Sequence, residues 1–127
     1  MKKISFILIY LIIALSLSAQ STDCKKFRNG TFKMNYNGLI IIIKRSGNIQ
    51  TEYLVNKKTS VSYTINWLDD CHYTLKPNND LFKAYPNAPQ NALISVSIIN
   101  TTTHSYTQST TSNFTKTRIT GEVIKID

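Results

Sequence analysis

Seven carboxylates, two cysteines, two histidines and four glycines are all that this 127-residue chain offers of the residue types that most often carry chemistry. Each shortage excludes something. His72 and His104 stand beside only Cys24 and Cys71, with no C-x-x-C or H-x-x-x-H spacing, so a zinc site of about four ligands has no signature. There is no Gly-rich phosphate loop and no G-x-S-x-G elbow. Asp69 and Asp70 are adjacent residues of a predicted turn, where neighbouring side chains diverge and are exposed, so they do not read as an acid–base dyad. Cys71 and His72 are neighbours in a predicted extended segment. Their side chains therefore point to opposite faces and cannot serve as nucleophile and base. A hydrolase would need a nucleophile, a base and an oxyanion hole that this chain does not assemble. The expectation is a non-enzyme with no cofactor and no metal.

Long apolar runs are also scarce. The longest, residues 4–15, follows Lys2 and Lys3 and precedes small residues at 16–19. That order predicts a signal peptide over residues 1–19, cleaved after Ala19. The run is shorter than the ~20 residues a membrane-spanning helix needs. The expectation is export to the periplasm, the outer surface or the medium, with no transmembrane span after cleavage. Residues 20–127 then form a single all-β domain with one core. Loss of two lysines reduces the net charge from +8 to +6. The basic residues are scattered near predicted turns and polar strand faces. They read as solubilising charge or as attraction to an anionic envelope surface such as lipopolysaccharide, acidic glycan or phospholipid headgroups. No RNA-binding aromatic motif, zinc finger or helix-turn-helix pattern appears, so nucleic acid is not an expected partner. In an oxidising compartment, an even pair of cysteines in a small domain predicts one disulfide, Cys24–Cys71. Closing that loop is worth about 4 kcal/mol on the chain-entropy model.

The mature chain reads as β almost throughout. Phe32, Met34 and Tyr36 alternate with Lys33 and Asn35; Val61, Tyr63, Ile65 and Trp67 alternate with Ser62, Thr64 and Asn66; Ile94, Val96 and Ile98 alternate with Ser95 and Ser97. Alternation of this kind puts one set on a buried face and the other toward water. Residues 39–43 are continuously apolar, as in a strand covered on both faces or a strand at a packed corner. Turn signals, of which Asn37-Gly38 is the strongest, divide the chain into strands near 30–36, 39–45, 49–56, 59–68, 71–76, 91–100, 104–112 and 115–126. Gly121 reads as a bulge or break in the last. The Thr/Ser-rich residues 101–112 read as a solvated edge strand or a loop. Residues 77–90 hold all three prolines and form the longest connection, with one helical turn begun by Asn79-Asp80 and stopped by Pro86. About eight strands joined by short turns predict an antiparallel meander, an up-and-down barrel or a strongly curved open sheet.

The stretch NWLDDCHYTL fixes a local register. Placing Trp67 opposite Tyr73 and Ile65 opposite Leu75 keeps apolar residues on one face, whereas a two-residue turn on Asp69-Asp70 would bury polar ones. In this register His72 lies outside, opposite Leu68. The inward set, Phe32, Tyr63, Ile65, Trp67, Tyr73 and Leu75, forms the predicted core and the candidate ligand-lining residues.

Two clusters occur together: Cys24-x-x-Phe27-x-x-Gly30-x-Phe32 and Trp67-x-x-x-Cys71-x-Tyr73-x-Leu75, with Arg45 and Gln50-x-Glu52 between them. This pattern resembles a group of small secreted proteins of Gram-negative bacteria with no established activity. Such proteins look to be labelled DNA topoisomerase IV at times. The residues here do not support that label, having no nucleotide-binding motif and no catalytic tyrosine domain. Gly30-x-Phe32 on the first strand is similar to the opening Gly-x-Trp of lipocalin-like barrels, which implies a β-barrel with an internal ligand site. Two functions follow as expectations. One is an exported binding module for a small apolar molecule or an anionic envelope surface, with residues 77–90 at the mouth of a cavity. The other is a structural or partner-binding domain whose interior is filled by its own side chains.

Overall fold

The computed structural model describes residues 23–127; the predicted signal peptide lies outside the described residues. The strands run in chain order as β1 (Gly30–Tyr36), β2 (Leu39–Ser46), β3 (Ile49–Leu54), β4 (Thr59–Trp67), β5 (His72–Pro77), β6 (Ile94–Thr101), β7 (Ser105–Ser112) and β8 (Ile119–Lys125). Each pairs antiparallel with the next. Pairing of β1 with β8, through Phe32↔Lys125, Lys33↔Ile124 and Met34↔Val123, closes the sheet into a barrel. Closure decides between the two predicted architectures, and it leaves no strand edge exposed for pairing with another chain. The β1–β2 turn is Asn37-Gly38, with φ of 50° and 84°, the left-handed geometry whose twist matches a tight hairpin.

Alternation determines which side chains enter the barrel. Phe32, Ile43, Val61, Tyr63, Ile65, Tyr73, Leu75, Val96, Ile98, Tyr106 and Val123 are all buried. Fully burying a side chain as large as Phe or Leu is worth roughly 1.5–3 kcal/mol, and these residues form one continuous cluster. The predicted hairpin register holds. Trp67 pairs with Tyr73 and Ile65 with Leu75, and the backbone N–H of Leu68 donates to the His72 carbonyl at 2.8 Å.

One end of the barrel, the base, is plugged. A 3₁₀ turn (Lys25–Phe27) delivers Phe27, fully buried, beneath Phe32 and Tyr106, with ring centroids 6.4 and 5.1 Å away. Cys24, just before that turn, is disulfide-bonded to Cys71 after β4, with Cα atoms 5.3 Å apart. The cross-link ties the plug to the β4–β5 corner. The connection from β5 to β6 leaves from the opposite end and carries the helix α1 (Asn79–Ala84). Asn78 and Asp80 are tied to β4: Asn78 N–H donates to the Ser62 carbonyl and Ser62 N–H to Asp80 Oδ1, both at 3.0 Å. Leu81 is buried, and Phe82 and Ala88 pack against the core.

Several local expectations are corrected. Residues 39–42 are only partly buried, so β2 is not covered on both faces. β7 is no edge or loop; it pairs on both sides. Gly121 pairs regularly with Gln108, and the irregularity lies instead in β6, between Ile98 and Asn100. A Cβ at Gly121 would stand 2.5 Å from Met34 Cε, so this glycine makes room for the methionine. The helix begins after Asn78 with no side-chain cap, because the Asn78 side chain is engaged with β4, its Oδ1 accepting from Thr64 Oγ1 and its Nδ2 donating to Ser62 Oγ.

Candidate functional site

The barrel interior holds two polar features in layers. Near the base, Arg45 of β2 points inward and is 2% exposed. Its Nε donates to Gln50 Oε1 at 2.8 Å and its Nη1 to the Phe27 carbonyl at 2.6 Å. Its Nη2 donates to the hydroxyls of Tyr106 and Tyr73. The guanidinium also stacks over Phe32, Tyr73 and Tyr106, 4.5, 5.2 and 5.6 Å from the ring centroids. Burial disfavours its charge, but Tyr73, Tyr106 and Glu52 more than offset this and hold its pKa above the ordinary value. Such a cation is tolerated because its donors are matched and its faces lie on aromatic rings.

Above this layer the barrel is not filled. A cavity of about 110 Å³ remains, lined by Ile43 of β2, Gln50 and Glu52 of β3, Tyr63 of β4, Tyr73 and Leu75 of β5, Ile94 and Val96 of β6, and Gln108 and Thr110 of β7. Glu52 is the one acid of that wall. The Arg45↔Gln50 and Ile43↔Glu52 pairs put Gln50 and Glu52 of β3 on the inner face. Gln50, whose Oε1 accepts from Arg45, stands beside Glu52 on this face, so Arg45 acts on the carboxylate without a direct ion pair. Burial raises the Glu52 carboxyl to about 7, against the opposing pull of Arg45 and of the Gln50 hydrogen bond. Burial likewise raises the Tyr63 phenol, and Glu52, Tyr85 and Asp80 add to it. Burial, then Tyr106, raises the Tyr73 phenol.

The wall has unmet hydrogen-bonding capacity. Thr110 Oγ1, and Ser112 Oγ one step further along β7, are buried without a partner. Gln108, on the same wall, directs Nε2 to Met34 Sδ at 3.7 Å, a weak contact. Buried polar atoms are ordinarily paired, so the orphaned Thr110 hydroxyl of the cavity wall marks a place for a guest. A larger groove of about 680 Å³ lies outside β4 and β5, bounded by Ser62, Thr64, Asn78 and Asp80. It is open to solvent, and those four side chains and backbones bond one another.

Of the sequence-predicted lining residues, Tyr63, Tyr73 and Leu75 face the cavity. Phe32 and Ile65 are core outside it, and Trp67 sits at the base, with Tyr73 at 4.5 Å on one side and the Arg28 guanidinium at 4.9 Å. Arg45, Gln50, Glu52, Gln108 and Thr110 were not predicted there. Register offered a signal: a two-residue turn at Gly47-Asn48 puts Arg45 opposite Gln50 and Glu52 opposite Ile43, all on the inward face. The Asp69–Asp70 corner is structural. Asp69 accepts from the Cys71 backbone N–H and meets His72 Nδ1, both at 2.8 Å, and Asp70 meets Arg28 at 3.2 Å. The hydrogen bond from His72, then that from Cys71, lowers the Asp69 pKa. Among the described residues no three His, Cys, Asp or Glu side chains converge on a point where a metal ion would sit.

The fold and site together define a small closed antiparallel β-barrel with a plugged base and a polar, acid-bearing cavity, to whose wall the β5–β6 connection contributes no residue. No protein-family model, no curated protein and no solved structure matches the chain.

Proposed function

We propose that the protein is an exported, non-enzymatic binding module that encloses a small molecule within its barrel. The observation that carries this reading is the cavity above Arg45, whose wall holds the Glu52 carboxylate and a Thr110 hydroxyl without a protein partner. A volume of about 110 Å³ is well below the ~300 Å³ at which ordinary ligand pockets begin. This favours a small hydrogen-bonding guest over the larger apolar molecule that the barrel's outline brings to mind. The disulfide, which needs an oxidising environment to persist, supports export. No helix among the described residues is long and apolar enough to cross a membrane.

A crystal structure of protein recovered from its native host tests the reading. Density in the cavity for a molecule larger than water, bonded to Glu52, Gln108 or Thr110, is the expected result. A cavity holding only water, or one collapsed by repacking of Gln108 and Tyr63, would favour the filled structural domain instead.

A further inference from the structure

We infer, on the strength of that binding-module reading, that the guest is a small organic ammonium ion seated with its nitrogen on the Glu52 carboxylate. The cavity wall is rich in acceptors. Glu52, Gln108 and Thr110 all line it; the Thr110 hydroxyl has no partner among the described residues, Gln108 makes only a weak contact from its Nε2 to Met34 Sδ, and Gln50 stands beside Glu52. An ammonium group has three donors and no acceptor, which matches three acceptors around one space. The remainder of the wall is Ile43, Leu75, Ile94 and Val96, suited to a short alkyl tail. At about 30 Å³ per water-sized group, 110 Å³ admits a molecule of only a few heavy atoms.

The competing ligand of opposite charge is disfavoured by the same geometry. Among the described residues Arg45 supplies the only buried positive charge near the cavity, yet its Nε, Nη1 and Nη2 already donate to Gln50, Phe27, Tyr73 and Tyr106, and it does not form part of the wall. Its charge stabilises an ionised Glu52 rather than reaching a guest. The other ionisable groups near Glu52 are Tyr63 on β4 and Tyr73 on β5, both held protonated. β6 and β7 contribute Ile94, Val96, Gln108 and Thr110 to the wall, none of which titrates. Asp80 of α1 adds a further negative charge beside Tyr63.

Uptake depends on ionised Glu52. Its carboxyl takes a proton near neutrality, so ammonium affinity falls as pH drops below about 7 and levels off above it.

The test is a titration of the intact protein, followed by NMR, with three probes of one size: n-propylammonium, propan-1-ol and propionate. Propylammonium should shift the Leu75, Ile94 and Thr110 methyl resonances, and the alcohol and the acid should bind at least about tenfold more weakly, as expected when a charged partner is lost. Glu52→Gln, nearly isosteric, should lower propylammonium affinity by a similar factor. Preferential binding of the alcohol or of propionate in the cavity would overturn the ammonium assignment while leaving the binding-module reading intact. Equal propylammonium binding by Glu52→Gln would overturn the anchor, and so would no response to any probe. Should that variant not fold, the fall in wild-type affinity below pH 7 makes the same decision, and a pH-independent affinity would refute the role of Glu52.

Discussion

Replacing Glu52 by Gln should stabilise this protein, and only above a certain pH. In the folded barrel burial raises the Glu52 carboxyl from 4.5 to about 7. A carboxyl whose folded pKa lies above its unfolded one holds its proton more tightly when folded. Folding is therefore most favoured where Glu52 is protonated in both states, below its ordinary value. It loses free energy as pH rises through the interval to about 7, and the full loss persists above that. At 1.36 kcal/mol per unit of pKa, the interval amounts to about 3 kcal/mol. Glutamine keeps the shape and the contact with Gln50 and never ionises. The stability gap between variant and wild type should be near zero at about pH 4.5 and approach 3 kcal/mol by about pH 8. The groups with lowered pKa values, Asp69 and Asp127, act below 3.8 and do not disturb this window. Urea unfolding at a series of pH values, followed by the fluorescence of the single tryptophan, Trp67, reads the gap directly. Parallel stability curves for the two proteins, or a gap that widens toward acid, would refute the idea that the cavity burdens the fold with a buried carboxylate. A charge that weakens the fold and is nonetheless kept is what a binding site, rather than a packing site, would hold.

Other perturbations follow from the same structure. Cys71→Ser frees the plug from the β4–β5 corner and should lower stability by about 4 kcal/mol in thermal or urea melts; an unchanged melt would mean that the base holds without the cross-link. Arg45→Met removes the guanidinium from its rings and leaves the Phe27 carbonyl and two tyrosine hydroxyls without their donor, and should cost about 3 kcal/mol. Arg45→Lys should recover only part of this, since an ammonium cannot reproduce the planar fork. Trp67→Ala should fall near the lower end of the range for buried aromatics, about 3 kcal/mol, because one side of the indole meets only the half-exposed Arg28.

The strands were legible because alternation and turn chemistry agreed along most of the chain. The β4–β5 register could be read from which pairing keeps Trp67, Tyr73, Ile65 and Leu75 on one face. Strand ends were harder. β3 stops at Leu54 because residues 55–57 tighten into a 3₁₀ turn, and β8 starts only at Ile119. Gly121 read as a break because glycine in a strand has two physical meanings, a bent backbone or a missing side chain, and only the position of Met34 distinguishes them. The cavity was least legible. The periodic rule treats inward positions as apolar, and Arg45, Gln50, Glu52 and Gln108 violate it together. A buried charge is tolerated only when its partners arrive from distant strands. Tyr73 and Tyr106, which complete the Arg45 shell, lie 28 and 61 residues away.

Native mass spectrometry of the protein recovered from its native host, compared with its denatured mass, addresses most directly whether the barrel carries a guest. The expected result is an additional small mass, on the scale of a few heavy atoms, that disappears on denaturation. A native mass equal to that of the bare disulfide-bonded chain would contradict the binding reading and leave the barrel as a structural domain.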